Sequence, residues 1–301
     1  MKRFSLLIVA LMSITIASAQ ELNIASYNIR QHNKKDYKTG NAWPQRVDAL
    51  CDLIRFNDFE IFGAQEVYND QLLDILKRLP KYDYIGVGRD DGATKGEYSP
   101  IFYNKERFTL LDGGTFWLSE TPDEPSFGWD AAYRRICSWG HFKDKVSRKK
   151  IWFFNVHMDH KGNVARREGA RLIAERINKM CNPEKELVIL TGDFNVPQDS
   201  EPYKVLAATL RDCYEIADVR FAPTGTFNGF KPANHTTKRI DHVFISKPLH
   251  AKRYGVLTYH FWGTDAGTES SLADAPKEIS AENRVLRLQS DHYPVQVFLE
   301  L

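Results

Sequence analysis

Two periods of hydrophobic repetition alternate along this chain. In "AWPQRVDALCDLIRFND", Val47, Leu50, Leu53 and Ile54 fall on one helical face, with Pro44 near its start. "NDQLLDILKRLP" reads as a second helix, with Asn69 as cap and Pro80 as stop. "VARREGARLIAERINKM" is a long amphipathic helix, and a short one is expected near "PYKVLAATL". Strands are more numerous. "ELNIASYNIR" alternates with period two; "FEIFGAQEV" and "ELVILTGDFN" are short continuous apolar runs that end in polar residues. "YDYIGVG", "YSPIFYN", "RFTLLDGGTFWL", "YRRICSWGHF", "KIWFFNVHM", "RIDHVFIS", "AKRYGVLTYHF" and "HYPVQVFLEL" complete the set. Continuous strands imply burial on both faces, and alternating ones burial on one. The pattern predicts an α/β fold: a four-layer sandwich of two packed mixed β-sheets flanked by helices, in one domain spanning residues 20–301.

The first residues stand apart. "MKRFSLLIVALMSITIASAQ" has a basic start, an apolar stretch from Phe4 to Ile16, and Ala17-Ser18-Ala19. This is the pattern of a secretory signal over residues 1–19, too short to span a bilayer comfortably. The expected protein is exported, periplasmic or secreted, monomeric, and without a stable membrane anchor. Composition is that of a globular domain, 43% hydrophobic and 27% charged. Cleavage after Ala19 removes Lys2 and Arg3, so 39 of the 41 basic residues face 39 acidic ones. Neutrality speaks against tight binding to long nucleic acid, which depends on neutralising phosphates. Cys51, Cys137, Cys181 and Cys213 lack C-x-x-C spacing, so neither a zinc site nor a redox motif is expected.

The chemistry gathers where apolar strands end. The clusters are "SYNIR" with Asn28, "GAQEV" with Glu66, "NVHMDH" with His157, Asp159 and His160, "TGDFN" with Asp193 and Asn195, and "RIDHVFI" with Asp241. "QSDHYP", with Asp291 and His292, precedes the last strand. Each alone has an ordinary explanation: a strand-edge Asn, a capping Glu, a core His, a turn. Six together match the habit of α/β proteins of collecting ligand groups at strand ends. Asn28, Glu66, Asp193 and Asp291 are hard oxygen donors suited to Mg²⁺ or Mn²⁺. His157 and His292 can contact a phosphate or carry protons near neutral pH. Asn195 can donate to a developing oxyanion. Metal, positioned water and oxyanion donors are the requirements of phosphoester hydrolysis. If Gly192 bends the strand, Asp193 and Asn195, two residues apart, share one face while Phe194 packs into the core.

These residues resemble the endonuclease/exonuclease/phosphatase superfamily, in order from "YNIR" to "SDHYPV" and across nearly the whole mature chain. "TGDFN" and "SDHYP" together are the specific part. The resemblance implies that Asn28 and Glu66 hold the metal with Asp291 nearby, and that Asp193 positions or deprotonates water. It implies that Asn195 contacts phosphoryl oxygens, that His292 sits on the phosphate held by Asp241, and that His157 is the second phosphate-facing histidine. Glu97, in "GEYSPIFY", is similar to the acid that orients this histidine in the deoxyribonuclease branch. Which histidine is the acid and which the electrostatic clamp stays open. "GDFNVP" and "KRIDHVF" depart from the inositol 5-phosphatase branch, whereas "WPQR" and "NVHMDHKGNVARREGARLI" look closer to the nocturnin, deadenylase and sphingomyelinase side.

Arg166 and Arg171 are candidate phosphate-facing basics, and Trp129, Trp139, Phe230 and Trp262 candidate stacking aromatics, with Arg166 and Trp262 preferred for substrate binding. The leading expectation is a divalent-metal-dependent phosphoesterase acting on a phosphomonoester or phosphodiester of a small molecule, lipid or nucleotide. The alternatives are an endonuclease or exonuclease acting on DNA or RNA, and a binding protein that kept the fold and lost the chemistry.

Overall fold

The computed structural model describes residues 20–263 and 284–301, and between them residues 269–270, 276, 278–279 and 281–282. The expected signal, residues 1–19, lies outside the described residues. Strands β1 (Glu21–Asn28), β2 (Ile61–Gln65), β3 (Tyr82–Ile85) and β4 (Ile101–Asn104) build one side of the molecule. Strands β5 (Phe108–Trp117), β6 (Ile136–Asp144), β7 (Lys150–His157), β8 (Leu187–Asp193), β9 (Arg211–Asp212), β10 (Val219–Phe221), β11 (Asp241–Ile245) and β12 (His250–Val256) follow. The tail adds the short β13 (Phe261–Trp262), β14 (Glu269–Ser270), β15 (Ala281–Glu282) and β16 (Leu286–Arg287), then β17 (Val295–Glu300). One seven-stranded sheet has the order β10-β12-β17-β1-β2-β4-β3, and a six-stranded sheet has the order β5-β6-β7-β8-β11-β9. Both are mixed: β1 runs parallel to β2 and β7 parallel to β8, with antiparallel neighbours around them.

The layering follows from side-chain alternation. In β1, Leu22 and Ile24 enter the core between the sheets, while Ala25 and Tyr27 pack under helices α1 (Trp43–Phe56) and α2 (Asn69–Arg78). In β8, Leu187 and Ile189 face the same inter-sheet core, while Val188 and Leu190 pack under α3 (Asn163–Met180) and α4 (Glu201–Ala207). A fifth, one-turn helix, α5 (Cys213–Ile216), follows β9. The four layers expected from the sequence are therefore present: helices, sheet, sheet, helices. Among the described residues no helix is long and apolar enough to cross a membrane.

Local chemistry sets the helix ends. Pro44 sits in the first turn of α1, where Gln45 accepts from the Ala42 amide at 2.9 Å. Asn69 does not cap α2. Tyr68 holds that position, its amide bonded to Gln71 Oε1 at 3.1 Å, and Asn69 instead accepts from the Tyr98 hydroxyl at 3.1 Å. The orphan amides at the start of α3 are met by Asp159, which accepts from Lys161 and Gly162, and by Asp130, which accepts from Val164 and Ala165. All four cysteines are buried and free.

Beneath one end of the sandwich the two sheets are stitched by polar groups. Asn155 on β7 donates to the Ala64 and Pro100 carbonyls at 2.7 and 2.9 Å and accepts from Gln65 at 2.7 Å and Thr191 at 3.0 Å. Each such buried group left unpaired costs about 1–3 kcal/mol. Gly63 makes room for this belt, because a Cβ there would collide with Asn155 and Thr191. The belt lies one residue below Glu66 on one sheet and two below Asp193 on the other.

Candidate active site

Strand register brings the polar clusters together. His157, the last residue of β7, pairs with Asp193, the last of β8, and Asp193 pairs with Asp241, the first of β11. On the facing sheet Asn28 ends β1 opposite Gln65 of β2, and Glu66 follows at once. Glu66 turns into the space between the sheets through a left-handed backbone, φ 60°. Arg30 and Asn195, both beside it in the cleft, share that conformation with φ 57° and 51°. Left-handed non-glycine residues are sparse in proteins and concentrate where function fixes the backbone.

Gly192 does not bend β8. It lies inside the strand, where a Cβ would strike Val156 of β7, so its role is close approach between strands. Asn195 reaches the site by a turn instead, its amide capping Asp193 Oδ1 at 2.9 Å. Phe194 is buried against His242 and Phe244, as expected.

Asp193 is the hub. Its Oδ2 accepts from Asn28 Nδ2 at 2.9 Å and faces His157 Nε2 at 3.5 Å and His292 Nε2 at 3.8 Å. The Asn28 amide nitrogen also reaches Glu66 Oε1 at 3.2 Å, and Gln31 N–H donates to Glu66 Oε2 at 3.1 Å. Burial and then Asp241 push the Asp193 carboxyl up. Burial and Glu97 also push Glu66 up, but His157, His292 and the Gln31 amide outweigh them and leave it lowered. Burial raises Asp291 to about 6, with Glu66 adding to the rise; Arg30 lies 3.6 Å from its carboxylate.

The two histidines are held differently. His292 Nδ1 donates to Asp241 Oδ2 at 2.9 Å. His157 Nδ1 instead accepts from the Arg135 guanidinium at 3.0 Å. Glu97, expected to orient His157, stands 3.5 Å from that nitrogen and is clamped bidentately by Arg89 at 2.7 and 3.0 Å. The proton of His157 therefore sits on Nε2, in a corner shared with Asn195 Nδ2 at 3.2 Å. One Asn195 N–H donates to the Met158 carbonyl at 3.0 Å, and its second N–H beside His157 Nε2–H suits an anionic oxygen.

Glu66, His157 and Asp193 present ligand atoms within 4.8 Å of one another, and so do Asp193, Asp241 and His292. The buried Asp193 and Asp291, both pushed up by burial, and the half-buried Glu66 crowd this floor, so the donor set fits a hard cation. Asp291 belongs to neither group of converging atoms and is engaged by Arg30. All of these residues except Asn28 and Asp241 line one cleft of about 540 Å³.

Two substrate candidates lie elsewhere. Trp262 is 63% exposed in a separate hollow with Pro44 and Arg287. Arg166 lines an adjoining hollow and spends its guanidinium on the Asp159 carbonyl at 3.0 Å and on Asn163. Arg171 is tied to Glu168 and Glu201 on the helix surface. Trp139 packs on Trp152, Phe230 lies under Arg46, and Trp129 is not part of the cleft lining. The cleft instead carries Arg30, Arg89, Arg135, Tyr68, Tyr133 and Phe227, which the sequence did not single out.

The model of the Endonuclease/Exonuclease/phosphatase family matches residues 25–265. The chain belongs to this family. Its members are phosphatases and nucleases, so the chain is placed among phosphoester hydrolases. A mannosyl-6-phosphatase of Bacteroides thetaiotaomicron is 46% identical, with a TM-score of 0.84 over 93% of this chain and 100% of that one. Uncharacterized protein L388 of Acanthamoeba polyphaga mimivirus is 26% identical over 93% of this chain and 100% of its own. The human nocturnin catalytic domain with bound sulfate is 16% identical, covers 93% of this chain and 94% of its own at a TM-score of 0.64, and shares the fold. The superfamily resemblance read from "TGDFN" and "SDHYP" is thus borne out.

Proposed function

We infer that the protein is a Mg²⁺- or Mn²⁺-dependent phosphomonoesterase whose substrate is a small sugar phosphate. The observation that carries this reading is the cleft itself. Its volume of about 540 Å³ is that of a small-molecule site, and the acid, amide and histidine groups meet at its floor. Similarity to the mannosyl-6-phosphatase, at 46% identity, supports a sugar alcohol as the leaving group. Neutral mature charge favours a small substrate over long nucleic acid. Export through residues 1–19 is part of the proposal, and a secreted chain beginning at Gln20 would bear it out.

Held by Glu66 with Asp193 and Asp291 beside it, and by Asn28 once its carboxamide, whose nitrogen faces Glu66 and Asp193, turns its oxygen to the site, a divalent cation would polarise a phosphoryl oxygen and acidify bound water. The rest is the work of side chains. Asp193, its basicity raised by burial, takes the proton of the attacking water. Asn195 Nδ2 and His157 Nε2–H donate to the phosphoryl oxygens. His292, kept cationic by Asp241, faces the phosphate from the other side.

A screen of hexose phosphates, nucleotides, phospholipids, RNA and plasmid DNA tests this reading. Hexose 6-phosphate should be hydrolysed with Mg²⁺ or Mn²⁺ and spared in chelator, and Glu66→Gln should raise the metal concentration needed. Undiminished activity in chelator would remove the metal. Efficient plasmid degradation with a steep salt dependence would replace the substrate with nucleic acid.

A further inference from the structure

Two aromatic rings stand over the floor of the cleft, and the chemistry above uses neither. Phe227 meets His292 edge-on, ring centroids 5.0 Å apart at 72°. Tyr133 stacks on His160 at 5.8 Å and 20°. Both rings line the cleft, yet they are 46% and 48% exposed. A large aromatic side chain left half bare in a concave site forfeits apolar burial unless a ligand completes it.

Neither ring is on a loose loop. Phe227 forms a β-bridge with His292, and the next two amides, Asn228 and Gly229, donate to the Asp291 carbonyl at 2.8 and 3.0 Å. The Tyr133 amide donates to Asp159 Oδ2 at 3.3 Å, and the guanidinium of Arg89 lies 5.2 Å from the ring centroid. The two faces are therefore fixed by the same residues that fix the site.

Between them the cleft offers polar tips with no partner inside the described protein. These are the Gln31 side-chain carboxamide, the Tyr68 hydroxyl, the Tyr133 hydroxyl and His160 Nε2. Apolar faces with a polar edge complement a pyranose, whose ring carbons present C–H faces and whose rim carries hydroxyls. An acyclic alcohol has the hydroxyls without the face.

We propose that Tyr133 and Phe227 form the leaving-group subsite, gripping the faces of a pyranose ring while Gln31, Tyr68 and the Tyr133 hydroxyl bond its hydroxyls. This rests on the sugar-phosphate reading and makes it more specific. The two residues then decide which phosphoester is accepted, and they do so through KM more than kcat.

The test compares mannose 6-phosphate, glycerol 3-phosphate and a nucleoside 5′-monophosphate in Mg²⁺, using wild type, Tyr133→Leu, Phe227→Leu and Tyr133→Phe. The leucine variants should lose kcat/KM on the hexose phosphate about tenfold more than on glycerol phosphate, mostly through KM. Tyr133→Phe keeps the face and should lose less than Tyr133→Leu. Equal losses on hexose and glycerol phosphates would overturn the subsite and leave the phosphatase standing. A nucleotide preferred over the hexose, with the same sensitivity, would overturn the pyranose. Failure of wild type to hydrolyse any monoester would remove the underlying reading and the subsite with it.

Discussion

His292 and His157 face the same carboxylate from opposite flanks, and their surroundings drive them apart. Burial would hold His292 neutral, but Asp241 at 2.9 Å and Asp193 outweigh it and lift its pKa to about 10. Burial lowers His157 and Arg135 adds to it; Asp193 and Glu66 oppose the shift without offsetting it, and the pKa falls to about 3. One imidazole is a cation at neutral pH and the other is a neutral donor through Nε2. The difference comes from what sits on Nδ1, a carboxylate or a guanidinium, and not from exposure, since both side chains are buried. A histidine's role is thus written in its second neighbour. In the proposed mechanism this difference makes His292 the source of charge and His157 the source of a directed hydrogen bond.

The contrast can be broken at its shared point or on either flank. The largest effect is expected at the hub. Asp193→Asn should lower kcat at least about a hundredfold with KM little changed, because it removes the base that readies water. Steady-state kinetics on the best substrate decides this, and normal turnover would remove Asp193 from the chemistry.

The flanks should respond unequally. Asp241→Asn withdraws the charge that keeps His292 protonated, so kcat should fall by about tenfold or more and the alkaline limb of the pH–rate profile should move toward neutrality. Arg135→Met keeps the stem but frees His157 Nδ1; its loss should be smaller, and the alkaline limb should stay where it is in wild type. If both variants moved that limb alike, the two histidines would share one role.

The smallest effect concerns a third buried histidine, His242, whose Nε2 bonds the Val196 carbonyl at 3.0 Å behind Asp241. Burial lowers it from 6.5 to about 4. The unfolded chain therefore binds a proton below the ordinary pKa that the folded chain refuses down to about 4. Stability from the neutral His242 is complete above 6.5 and is lost as pH falls toward 4. Urea midpoints at pH 7.5 and 5 should thus differ less in His242→Gln than in wild type. His292 has the opposite sign: its contribution is complete below 6.5 and disappears as pH rises through about 10.

The floor of this site was legible because strand ends advertise themselves. An apolar run that stops at Asn28, Glu66, His157 or Asp193 leaves a polar group where two sheets open, and period-two alternation fixes which neighbours go inward. The walls were not legible. Arg135 and Arg89 follow loops in sequence and read as solvated charges, yet they are 4% and 7% exposed. Their partners, His157 and Glu97, are marked in the sequence, but nothing there ties them to these arginines; the antiparallel pairing of β6 with β7 brings Arg135 to His157, and the loop between β3 and β4 folds Arg89 onto Glu97. Tyr133 and Phe227 lie in loops with no periodicity, and nothing in their spacing sets them apart from larger aromatics such as Trp262. Gly192 shows a subtler limit, since a glycine before an Asp suggests a turn while the fold uses it to let strands touch.

The most direct test of the asymmetry is the ¹⁵N NMR spectrum of the two imidazoles in the Mg²⁺-loaded protein at pH 7, assigned with His157→Gln and His292→Gln. Both nitrogens of His292 should be protonated, and His157 should be neutral with its proton on Nε2. A neutral His292, or a His157 that carries its proton on Nδ1, would contradict that asymmetry.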